Sequence, residues 1–204
     1  VNFELFFAFL LITLVLVLVP GPIVTLVIST AATHGARAGL ITVGGSTLGN
    51  ALLVSAIALG LNVIIIYAAE IFELLRWVGA AYLIWLGVQA WRGADRAAAI
   101  VPPRGRVHFR RGFTVAISNP KTIAFFTAFL PQFIDPHFTI GYQLTVMCSV
   151  AVLMAAITDA GWAIIAGAGR ALFLKQVSTR WLSRLSGVVL IGGGVWLSLA
   201  RRSG

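Results

Sequence analysis

Charge is the first thing this sequence is short of. Only 10% of its 204 residues are charged and just 6 are acidic, where a soluble domain of this size carries about 25% charged residues. Cysteine is reduced to one, Cys148, which excludes an internal disulfide and, with no CxxC partner, dithiol electron transfer by this chain alone. The three histidines, His34, His108 and His137, are scattered, with no HExxH and no pair at ligand spacing. No metal site is expected. A Walker-type phosphate loop is missing, so the chain has no ATP-hydrolysing motor of its own. Nor is there a nucleophile–base pair or a cofactor motif. An enzyme is therefore not expected, and neither is a cofactor.

Apolar residues are what the chain has in excess: 59% of the total, with a mean hydropathy of +0.98. They come in long runs rather than in the alternation of barrel strands, so the chain reads as an all-α integral membrane protein. The net charge of +9 bears first on orientation in the membrane. No basic face is interleaved with exposed aromatics, and nucleic acid is not an expected partner.

Six spans can be read in order. The first, Phe3 to Ala32, is about ten residues longer than one crossing needs and is interrupted by Pro20, Gly21 and Pro22. Its apolar run is too long for a cleavable leader, and Glu4 stands where a basic flank belongs. The second span runs from about Gly39 to Ile66. Gly35, Gly39, Gly45 and Gly49 supply two small-xxx-small pairs at its start, suited to close helix approach. The third, Leu74 to Trp91, is bracketed by Trp77 and Trp91 as interfacial aromatics would be. An Arg-rich hydrophilic loop, 92–111, separates half one (1–91) from half two (112–204) of a single transporter-like domain, 1–204. The fourth span follows to Ile134 and contains Asn119, Pro120 and Lys121 in succession. The fifth, Tyr142 to Gly169, holds Asp159, and the sixth runs from Leu185 to Leu199.

An even number of spans puts both termini on one side. Loops after spans one, three and five hold Arg37, the six arginines of 92–111, and Arg170, Lys175, Arg180 and Arg184; the other side has only Arg76, Arg201 and Arg202. The positive-inside rule makes the 92–111 loop cytoplasmic and both termini external. Span three opens on Arg76-Trp77-Val78-Gly79 and span six on Arg184-Leu185-Ser186-Gly187, while spans one and four are both broken. Three spans per half, matched in this way, describe an inverted-topology repeat, common in secondary transporters.

The breaks are where chemistry is expected. Proline has no amide hydrogen to donate, and a freed backbone group at membrane depth is tolerated only where it faces protein or a watery cavity. The N-terminal end of a half-helix carries partial positive charge that suits a carboxylate. Pro20, Gly21, Pro22, Asn119 and Pro120 are thus candidate cavity residues for a small polar or zwitterionic solute. Lys121 is a charge at membrane depth, able to attract a carboxylate or to pair with Asp159. Asp159 is the one acid well inside a span, a candidate for proton coupling or for a structural pair with Lys121. Asn50 suits a hydrogen bond between helices as well as it suits substrate contact.

Taken together, Pro20-Gly21-Pro22, the GARAGL run from Gly35 to Leu40, the run from Trp77 to Leu83, Asn119-Pro120-Lys121 and the run from Phe129 to Pro136 resemble the LysE/RhtB-type amino-acid exporter family, over nearly the whole chain. The resemblance implies ion-gradient-driven efflux of amino acids or close derivatives across a bacterial inner membrane. Partners implied are a small-molecule substrate and membrane lipid, and a homo-oligomer is compatible with it. Two departures stand out. Many relatives carry Asn directly after the first break where this chain has Ile23, and many carry Asp in span two where Asn50 falls. The second shifts any coupling role toward Asp159 and disfavours basic substrates. Export of a metal ion or another solute, and a non-transporting scaffold subunit, are the rival readings.

Overall fold

The computed structural model describes residues 1–67 and 107–169, with individual helical positions within 77–92 and 184–199. Most of the 92–111 loop, the connection after Tyr67, the basic segment after Gly169 and the C-terminal arginines lie outside the described residues. All regular structure among the described residues is helical: α1 (Phe3–Leu18), α2 (Pro22–His34), α3 (Ala36–Tyr67), α4 (Val107–Ile117), α5 (Pro120–Ala128), a 3-10 turn (Leu130–Phe133) and α6 (Ile140–Ala168). Among the described residues, three stretches are long and apolar enough to cross a membrane: Ala36–Leu61, Val107–Phe133 and Ile140–Ala168. The pair α1 and α2, bent by 46°, makes a fourth.

Local chemistry explains where these helices start and stop. Asn2 caps α1 by accepting from the amides of Glu4 and Leu5. Gly35, at φ 91°, makes the tight turn between α2 and α3, a conformation that a side chain disfavours. Helix α4 begins at Val107, earlier than hydropathy places the span, because its first turns are amphipathic: His108 and Gly112 are buried while Arg110 stays exposed.

The four spans share one register of depth. One apolar cluster gathers Phe9 of α1, Val54 and Leu61 of α3, Phe125, Phe126, Phe129 and Phe133 of the α5 segment, and Leu144 to Ala151 of α6. A second gathers Ile23, Val27 and Ala31 of α2, Val43 of α3, Ala116 of α4, and Ala163 and Ala166 of α6. In every span a break, Asn50 or Asp159 falls between the residues of the two clusters. At the end beyond the aromatic cluster, Asn2 Nδ2 donates to Asp135 Oδ2 at 3.0 Å, and the buried Gln143 side chain bonds both the amide and the carbonyl of Asp135. The Asn2 amide and the His137 N–H hold the Asp135 carboxyl below the usual carboxylate range. The latch is therefore intact above that range and is lost only as the pH falls through the lowered value.

Close backbone approach sets the packing of α3 against α4. A Cβ at Gly45 would overlap the carbonyl of Phe109, one at Gly112 that of Thr42, and one at Gly49 would stand 2.7 Å from the Phe113 oxygen. The glycines thus work as expected at positions 45 and 49, whereas Gly35 serves the turn and would meet nothing within 4 Å. Elsewhere, a Cβ on Gly187 would approach the Gly87 carbonyl, and one on Gly194 the Ala80 carbonyl, so these two stretches run antiparallel. A paired test follows. Gly45→Val should cost about 1–3 kcal/mol through overpacking, lowering the unfolding midpoint in detergent by roughly 2–10 °C. Gly60→Ala, where nothing lies within 4 Å, should leave the midpoint unchanged or raise it. Equal midpoints for the two variants would contradict the α3–α4 contact.

Candidate functional site

Both breaks meet in one place. At the first, Pro20 lacks the amide hydrogen that would reach back to the Leu16 carbonyl, and Val19 is the last residue to bond into α1, through its N–H to Val15 O at 3.2 Å. The carbonyls of Leu16 and Val19 are left without a helical donor. Lys121, from the second break, supplies one: its Nζ donates to Leu16 O at 2.7 Å and to Val19 O at 2.6 Å. The lysine is 9% exposed and lies against Gly21, where a Cβ would come within 3.2 Å of its Cδ. A side chain at 21 would crowd the lysine and require it to shift by a few tenths of an ångström.

At the second break Asn119 caps α5. Its Oδ1 accepts from the Lys121 amide at 3.1 Å and its Nδ2 donates to Thr122 Oγ1 at 2.9 Å. Pro120 occupies the first helical position, where its missing N–H is not needed. Asn119 N–H bonds back to Ala116 O at 3.1 Å, so the carbonyl that Pro120 would orphan keeps a partner. The two breaks therefore differ: the second is capped from within, and the first depends on Lys121.

These groups line a cavity of about 50 Å³ together with Asn50, Asp159, Ile23, Val24 and Thr122. Asn50 is 7% exposed and its Oδ1 has no hydrogen-bond partner. Asp159 is 5% exposed. It interacts electrostatically with Lys121 across the cavity, but the lysine's hydrogen bonds go to backbone carbonyls, and no direct ion pair joins the two among the described residues. The volume holds a few waters and is too small for an amino acid, so loading requires the helices to part. A larger groove of about 570 Å³ lies between α3 and α6, lined by Ser55, Thr145, Cys148 and Ser149 among apolar neighbours. It contains no charged side chain and shares no residue with the breaks.

Every residue singled out at the breaks, along with Asn50 and Asp159, thus falls in or beside one site; Pro20 and Pro22 act through the backbone. What sequence reasoning missed are the acceptors, Leu16 and Val19, and the cap partner Thr122. A signal for Leu16 existed: it stands four residues before a helix-breaking proline, so its carbonyl had to find another donor.

Paired breaks around a buried polar cavity, sealed at both ends by apolar clusters, define a membrane translocator. The chain belongs to the LysE type translocator family, whose model matches residues 14–201. It is similar to the homoserine/homoserine lactone efflux protein of Salmonella typhimurium, 31% identical over 99% of this chain and all of the relative. An uncharacterized membrane protein of Vibrio cholerae is 32% identical over 98% of this chain and 99% of its own length. The leucine efflux protein of Klebsiella pneumoniae is 32% identical over 59% of this chain and 58% of the relative. No solved structure matches.

The role of Lys121 can be measured as a coupling. Lys121→Met leaves two buried carbonyls unpaired, at a cost of about 1–3 kcal/mol each. Pro20→Ala restores an amide donor for Leu16 O. In a double-mutant cycle on unfolding in detergent, Lys121→Met should therefore cost about 1 kcal/mol less in the Pro20→Ala background than in the wild type. Strict additivity would show that Lys121 does not serve the first break.

Proposed function

We propose that the protein is a secondary-active exporter of amino acids or closely related small solutes across the bacterial inner membrane, coupled to protons through Asp159. The observation that carries this reading is the polar cavity at the crossing of two broken spans, closed on either side along the membrane normal. A channel would leave one continuous path; an exporter needs two seals that open in turn. The efflux activities named for the relatives support amino compounds as the cargo class.

The full architecture in this reading is six spans in two inverted halves of three. Its support is the matched depth of the two breaks and the antiparallel contact of Gly87 with Gly187 and Ala80 with Gly194. Both termini face outward. His34, Arg37, Arg110 and Arg111 lie at the end of the small-residue cluster, the end assigned to the cytoplasm, while Asn2 and Asp135 lie at the other. Single cysteines at Ala98 and Ser203, in a Cys148→Ser background, test the orientation. In intact cells an impermeant thiol reagent should label position 98 weakly and position 203 strongly, and the reverse pattern would overturn the assignment.

Coupling follows from Asp159 serving two occupants. A carboxylate that binds either a proton or a cationic group of the cargo, but not both, exchanges one for the other as the cavity alternates. Asp159→Asn should then abolish uptake driven by an imposed pH gradient in proteoliposomes, while exchange of solute against solute continues at a reduced rate. Gradient-driven uptake by Asp159→Asn at the wild-type rate would remove Asp159 from the coupling role.

A further inference from the structure

The polar groups of the cavity divide into those already satisfied and those left waiting. Lys121 is largely committed, two of its three ammonium N–H groups going to the carbonyls of Leu16 and Val19. Asn119 and Thr122 bond to each other, and the Asn119 oxygen is taken by the Lys121 amide. Two side chains remain. Asn50 Oδ1 is buried without a partner, and the Asp159 carboxylate has no hydrogen bond among the described residues. Each offers an oxygen acceptor, Asn50 beside its amide donor, and they reach the same cavity from different spans, Asn50 from α3 and Asp159 from α6. Asn50 is held by close packing: Gly49, next to it, lies against Phe113 and Ala116 of α4.

Buried acceptors without donors call for a ligand that brings several N–H groups. We propose that Asn50 and Asp159 together form an ammonium half-site, and that the cargo is recognised by its primary amino group rather than by its carboxylate. The proposal rests on the exporter reading and deepens it by naming what the site reads. Lys121, the cation that would otherwise claim a carboxylate, turns two of its three N–H groups to α1. A carboxylate in the cavity meets the N-terminal end of α2, where Gly21 provides no side-chain cap, and a Lys121 ammonium that already gives two of its three N–H groups to backbone carbonyls. That end offers a dipole rather than a full charge. The cargo class is then wider than the amino acids themselves: it extends to amino-acid amides, esters and lactones, which keep the amino group and lose the acid. It excludes N-acylated amino acids, which keep the acid and lose the cation.

Binding to the full-length protein in nanodiscs tests this directly, by calorimetry with L-leucine and L-homoserine, each as the free amino acid, the carboxamide and the N-acetyl derivative. Free and amide forms should bind within about 5-fold of each other, the scale of a helix-end dipole. The N-acetyl forms should bind about 100-fold more weakly, as expected when charge-assisted hydrogen bonds are lost. Asn50→Asp, which keeps the shape and adds a charge, should tighten the amide relative to the free amino acid, and Asn50→Leu should weaken both. N-acetyl forms that bind as well as free amino acids, or amides that fail where free amino acids bind, would overturn the half-site and leave the exporter reading standing.

Discussion

A lysine ammonium does the work of a missing backbone amide, and the rest of the site depends on that substitution. Pro20 removes the donor that the Leu16 carbonyl would have used, and water is not at hand inside a bilayer to replace it. Lys121 fills the gap and satisfies Val19 O as well. The lysine gains in return, because the C-terminal end of α1 carries the partial negative charge that a buried cation needs. Neither feature is tolerable alone: an uncapped helix end and a lone ammonium each carry a desolvation cost of several kcal/mol. The first and fourth spans must therefore lie side by side with their breaks at one depth. Once that depth is set, the residues of α3 and α6 at the same level, Asn50 and Asp159, face the break.

Much of this could be read from the residues in order. The interruption of the first span at Pro20 to Pro22, the second at Asn119 and Pro120, and the ends of the long spans all follow from proline chemistry and hydropathy. The observed helices agree closely with the expected bounds, except at Val107, where an amphipathic turn hides part of a span inside an arginine-rich stretch. What was not legible is lateral. A Lys and an Asp, each alone in apolar sequence, invite pairing on grounds of charge. The carbonyls of Leu16 and Val19 are invisible in a sequence because every residue has one. Only the packing of α5 beside the end of α1 decides that the ammonium goes to the backbone. The glycine pattern had the same limit: Gly45 and Gly49 announced a close contact without saying that the α4 backbone makes it.

The two ends of the cavity are not equivalent. Toward Asn2 and Asp135 the seal is aromatic. Phe9 meets Phe133 at 5.6 Å between ring centroids and Phe125 stacks on Phe129 at 5.2 Å, with the Asn2–Asp135 bond beyond them. Toward His34 and Arg37 the buried seal is Ile23, the valines 27 and 43, and the alanines 31, 116, 163 and 166, with Ile28, Val115, Ala160 and Trp162 packed against it. Parting side chains in front of a watery vestibule costs about 25 cal/mol for each Å² of apolar surface uncovered. Aromatic rings bury far more surface each than alanines do and add ring–ring contacts that are lost on separation. In the proposed exporter, the occupant must contribute the interactions that offset the opening of the aromatic seal. An ammonium bridging Asn50 and Asp159 is placed to do this, because it ties α3 to α6 between the two seals. It replaces two unsatisfied acceptors with a crosslink at the level about which both ends must move.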